Sequence, residues 1–154
     1  MNEFLAKKLG EVLAFANVGN DTIDRANDVF INLFKERTDE FKKINSEHIQ
    51  KIKDFVEGSD FYEITLKKSE ATGEKLKKMR DMYIGDEWDN PAEILEWLGF
   101  FEGAAFIHWQ LVIGGSEKTA NEDLRAFAEK SAGFHHDLIH AVAELIKDTG
   151  RKKS

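Results

Sequence analysis

The stretch from Pro91 to Ile113 constrains the fold more than any other part of the chain. Asn90 can cap a helix, Pro91 suits its first turn and Glu93 places an acid at the third position, which together make the strongest helix start in the sequence. Gly114 and Gly115 read as the stop. At about 100° per residue, Ile94, Leu98, Phe101, Glu102, Ala105, Trp109 and Val112 share one face, so a single carboxylate stands in the middle of an apolar stripe. The opposite face, with Phe100, Ala104, Ile107 and Leu111, is apolar as well. Such a helix is either enclosed by neighbours or buried between subunits, and a homodimer through the second face of helix 90–114 is the expectation. Gly99, Gly103 and Ala104 would let another backbone come close.

The other helix ends are marked by similar chemistry. Gly58 fits just past one helix, and Asp60 with Glu63 forms a capping box for the next, which Gly85 closes. Thr119 and Glu122 open the last helix by the same logic, and Gly150 followed by Arg151, Lys152 and Lys153 suits its C-terminal, negative end. Helices are thus predicted near 60–84, 90–114 and 119–149. The basic run from Lys67 to Arg80 is interleaved with Glu70 and Glu74 and reads as a solvated helix face.

The first 57 residues carry one seam in steps of three and four: Leu9, Leu13, Ala16, Asn20, Ile23, Asn27, Phe30, Phe34, Arg37, Phe41, Ile44 and His48. A single helix of that length does not suit a compact domain of this size, so a hairpin is expected. Its turn falls at Gly19–Asp21, where glycine, asparagine and aspartate offer stop, turn and cap, or at Glu36–Asp39, which offers a cap without a glycine. With one proline in 154 residues and no internal repeat, the fold class is all-α: a bundle of four to five antiparallel helices forming one domain over residues 1–150, with a short basic tail at 151–154.

Charge and composition bound the partners. The balance of 22 basic against 29 acidic residues, a net charge of −7, repels phosphate backbones, so no nucleic acid is expected. The absence of cysteine rules out disulfides and thiolate ligands and fits a reducing, cytoplasmic setting. Charges at Glu3, Lys7, Lys8 and Glu11 break up any signal-like apolar run, and charged amphipathic segments on either side of Trp97–Ser116 argue against a membrane span.

A carboxylate on a core stripe has to be paired, hydrogen-bonded or protonated. Projection of the last helix puts His135 on its core face with Leu124, Phe127, Ser131, Leu138, Val142 and Leu145, and His48 lies with Phe41, Ile52 and Phe55, so Glu102, His135 and His48 are candidates to meet in the interior. One acid and two imidazoles suit iron or zinc, although a Glu–His hydrogen bond of purely structural purpose is the simpler reading. His136, His140 and Glu144, spaced by four, form a second set on the opposite face of the last helix, where a metal would find neither a closed shell nor a shaped cavity. Asn20 and Asn27 in the first seam, with Asp24 beside them, read as devices for register rather than ligands.

Carboxylate di-metal bundles need a Glu-x-x-His step on each of two helices, and the sequence contains none, so a ferritin-like likeness rests on shape alone. No phosphate-binding loop and no serine nucleophile motif is present. The sequence therefore predicts a self-associating interaction module without catalysis, with a metal-binding bundle centred on Glu102 as the alternative.

Overall fold

The computed structural model describes residues 1–154 and contains helices only: α1 (Glu3–Arg25), α2 (Asn27–Phe34), α3 (Arg37–Val56), α4 (Tyr62–Ile84), α5 (Pro91–Lys118) and α6 (Glu122–Lys153). The all-α class is as expected. No helix is long and apolar enough to cross a membrane.

The most enclosed helix is α1, in which 14 of 23 residues are buried, against 10 of 28 in α5. It packs on α3, α4 and α5, while α6 packs mainly on α5. Small residues make this possible. A Cβ on Gly10 would lie 2.5 Å from the carbonyl oxygen of Thr65, so α4 crosses α1 at a spacing that no other residue permits. At the same crossing the Thr65 hydroxyl donates to the carbonyl of Ala6 at 2.9 Å.

The hairpin in the first 57 residues turns near the second of its two predicted sites. Helix α1 runs straight through Gly19–Asp21, bends at Ala26 into the short α2, and reverses at Lys35 and Glu36. Lys35 carries the reversal at φ 57°, a left-handed conformation costing a non-glycine residue on the order of 1–3 kcal/mol. Thr38 anchors the turn by donating its hydroxyl to the Phe30 carbonyl at 3.1 Å.

Several predicted boundaries need correction. Helix α5 does not stop at Gly114 and Gly115 but continues to Lys118. A Cβ on Gly115 would lie 2.9 Å from Cδ1 of Leu5, so this glycine marks a packing contact with α1 rather than a helix end. The cap of α6 is Asn121, whose side chain accepts from the Leu124 amide at 3.1 Å, and not Thr119. Gly150 lies within α6, which takes up Arg151 to Lys153, so the basic tail is helical. Helix α4 begins at Tyr62 after a turn in which Ser59, not Asp60, accepts from the Phe61 amide. The Asn90–Pro91 start of α5 is as predicted, with the Asn90 side chain accepting from Ala92.

Two apolar clusters make the core. One gathers Phe15, Phe30, Phe34, Phe41, Trp97, Leu98, Phe101 and Leu138; the other gathers Leu5, Leu9, Leu13, Ile52, Trp109, Val112, Leu124 and Ala132. The helices α1, α3, α5 and α6 contribute to both. On α3 the residues between the two clusters include Asn45 and His48, and on α6 they include His135. A polar waist on α3 and α6 thus lies between the two clusters, which abut on α1 at Leu13 and Ala14.

Candidate functional site

The waist brings together what the helical projections suggested. Glu102 on α5 and His135 on α6 are 5% and 3% exposed, and Nδ1 of His135 faces Oε2 of Glu102 in a buried, charge-assisted hydrogen bond. The bond answers the need of a lone interior carboxylate for a partner. His48, 7% exposed, lies across from them with its ring centre 5.9 Å from that of His135. Its other neighbours are aromatic: Trp109 at 5.4 Å and Phe127 and Phe134 at 5.7 Å. Burial in this apolar wall, then the neighbouring charges of His135 and Lys130, push the His48 imidazole down to about 3, so the ring is neutral with a free lone pair at physiological pH. The indole N–H of Trp109 is buried beside it without a hydrogen-bond partner.

The waist continues to α1 through amides. Asn45 on α3 donates to Oδ1 of Asn20 at 3.1 Å, and Asn20 donates in turn to Oγ of Ser46 and the carbonyl of Lys42. Asn20 therefore acts in registering α1 against α3, as its seam position suggested. A Cβ on Gly19 would lie 2.9 Å from Nδ2 of Asn45. Between these groups and Glu102 lies a cavity of about 10 Å³, lined also by Thr22, Phe41 and Phe134. That is space for a single water-sized occupant and excludes an organic substrate.

Other candidates do not join the site. Asp24 and Asn27 are exposed, and Asp24 pairs with Lys42 at 2.6 Å on the surface, so neither belongs to the core seam. His136, His140 and Glu144 lie on the outer side of α6; the two imidazoles are 4.7 Å apart, His136 faces Asp137, and Glu144 is taken by Lys147 at 3.0 Å. As they stand, no three histidine, aspartate or glutamate side chains converge closely enough to hold an ion.

Two buried charges had no clear signal in the sequence. Arg80, at the end of a run that reads as a solvated face, is buried and donates to Asp21 at 2.7 Å, to Asp81 at 2.9 Å and to Thr22 at 3.0 Å, with its guanidinium 5.1 Å from the Trp88 ring. It locks the far end of α4 onto α1. Glu11 is buried among Lys8, Lys68 and His108, the two lysines at 3.0 and 3.5 Å. Only the interruption of an otherwise apolar run at Leu9–Ala16 hinted at its enclosure. Comparisons with protein-family models, with curated proteins and with solved structures found no match to this chain.

Proposed function

We propose that this chain is a cytoplasmic, non-enzymatic binding module, an antiparallel bundle of four to five principal helices that pairs with a second copy of itself through the outer face of α5. The observation that carries this reading is one arc of that helix. Phe100, Ile107 and Leu111 are 62%, 58% and 40% exposed, and they fall within one side of the helix together with Gly99, Gly103 and Gly114. Nothing lies within 4 Å of where a Cβ on any of these three glycines would be. Glycine inside a helix costs about 1 kcal/mol relative to alanine, and no contact within the chain offsets that cost here. A second helix lying along the arc would do so, because small residues let backbones close up while the flanking apolar side chains lose water.

A copy of the same chain suits this face better than a charged partner. Apart from the exposed Gln110, the arc carries apolar and small residues along about 24 Å of helix, at 1.5 Å per residue, so a two-fold axis through its middle sets like on like. Tyr83 of α4 extends the patch, its ring 5.2 Å from that of Phe100 and its hydroxyl donating to Glu96 at 3.2 Å. Sedimentation or light scattering tests the proposal: the wild-type chain runs as a dimer, and Ile107→Glu or Phe100→Glu runs as a monomer with its helix content kept. A wild-type chain that stays monomeric at every accessible concentration overturns it.

A second reading, a metal-binding bundle using iron or zinc on Glu102, His135 and His48, draws on the buried Glu102–His135 pair and on the His48 ring centre 5.9 Å from that of His135. Its test is elemental analysis of the purified protein.

A further inference from the structure

We infer that two copies of the chain pair antiparallel along α5 about a two-fold axis at Ile107, with Glu96 of each meeting Lys118 of the other. This rests on the self-association reading and deepens it by fixing direction and register.

The outer face of α5 has a spacing that reads the same from either end. Glu96, Phe100, Gly103, Ile107, Leu111, Gly114 and Lys118 follow one another in steps of four, three, four, four, three and four. All are exposed except Gly103, which is half-buried. Two runs of four, three and four make an eleven-residue period of about 3.67 residues per turn, so the seam stays on one side of the helix for about 33 Å. Gln110, the exposed amide between its ends, stands about 60° round the helix from Ile107 and flanks the seam.

In an antiparallel pair centred on Ile107, each position faces the one equally far along on the other side of the axis. Phe100 then faces the partner's Gly114, and Leu111 faces the partner's Gly103, so each bulky side chain meets a position that has none. Both glycines are open to receive it, since nothing in the chain lies within 4 Å of a Cβ built on either. Ile107 meets its own copy at the axis. At the two ends the carboxylate of Glu96 faces the ammonium of Lys118, which stands in the last turn of α5. The Tyr83 hydroxyl, donating to Glu96 at 3.2 Å, holds that carboxylate at the end of the seam.

Other arrangements lose these matches. A parallel pair in register sets bulk on bulk, hollow on hollow, Glu96 on Glu96 and Lys118 on Lys118, and it lays the two helix dipoles side by side in the same direction. An antiparallel shift of one heptad either way carries part of the seam past Pro91 or Lys118, where α5 ends. Size, charge and dipole therefore favour one direction and one register.

The chain has no cysteine, so thiols placed on the seam give a clean readout. Glu96→Cys and Lys118→Cys chains are mixed and treated with a short thiol-specific linker, and the covalent dimers are sorted by mass. The expected product joins one chain of each kind, and neither variant alone couples to itself. Sedimentation supplies the second arm. Glu96→Lys and Lys118→Glu each weaken the dimer on the order of tenfold, because two ion pairs become two like-charge contacts, and combining them restores it to within about threefold. Gly114→Leu, which fills the hollow opposite Phe100, weakens it by a similar factor with helix content kept. A dimer in which Glu96→Cys couples to itself or fails to couple to Lys118→Cys, or in which the double reversal does not recover, overturns the antiparallel register and leaves self-association standing. A wild-type chain that is monomeric at every accessible concentration overturns both.

Discussion

Helices α1 and α5 are both apolar, both punctuated by glycine, and surrounded to very different degrees. On α1 the glycines are used within the chain: Gly10 admits the backbone of α4 and Gly19 admits the side chain of Asn45. On α5 only Gly115 is used in that way, against Leu5, while Gly99, Gly103 and Gly114 face open space. The same residue type, at the same cost to the helix, marks a neighbour in one place and the lack of one in the other. The contrast also separates two kinds of apolar helix. One has its faces covered by the chain that carries it, and the other has one face covered and one left bare.

The sharpest way to break this comparison is to fill a glycine on each side. Gly10→Ala puts a methyl group 2.5 Å from the Thr65 carbonyl oxygen, an atom that cannot step aside without moving α4, and should lower stability by about 2–3 kcal/mol in chemical denaturation. A loss under about 0.5 kcal/mol would show that the two helices do not meet as closely as described.

A proton probes the enclosed side next. His48 has its pKa depressed to about 3 by burial, against 6.5 in the unfolded chain. Above 6.5 neither state holds the proton; below it the unfolded chain takes one up and the folded chain does not, so stability is complete above 6.5 and falls as the pH drops toward 3. The slope is up to about 1.4 kcal/mol per pH unit, or about 2 kcal/mol between pH 6.5 and 5. Replacing His48 with phenylalanine should flatten that segment of the stability curve, and an unchanged slope would place the proton uptake elsewhere. The smallest effect belongs to the open side. Gly103→Ala should stabilise the monomer by about 0.5–1 kcal/mol, since no atom stands in its way, while weakening the proposed self-association through the lost close approach. Denaturation of a monomeric Ile107→Glu background separates the two.

Much of this was legible in the sequence, and the limits have physical causes. Asn90–Pro91 announces a helix start because the cap and the fixed φ are local chemistry. Glu102, His135 and His48 are legible as core residues because helical periodicity alone sets their faces. Gly115 misleads because a stop and a close contact use the same residue, and only the position of Leu5 tells them apart. The reversal at Lys35 was hard to place because its strain is borne by a lysine rather than a glycine. Arg80 hid in a charged run, since its burial depends on Asp21 lying 59 residues earlier in the chain.

The polar waist has one more consequence, for how the molecule comes apart. Four helices, α1, α3, α5 and α6, each pass through the waist and are anchored in both apolar clusters, as piles driven through two strata. Neither half owns a complete set of elements that could melt while the other stayed intact. The two cores are therefore coupled through continuous helical backbone, and heating should take them apart in one cooperative transition, with amide exchange protection ending together on either side of Glu102.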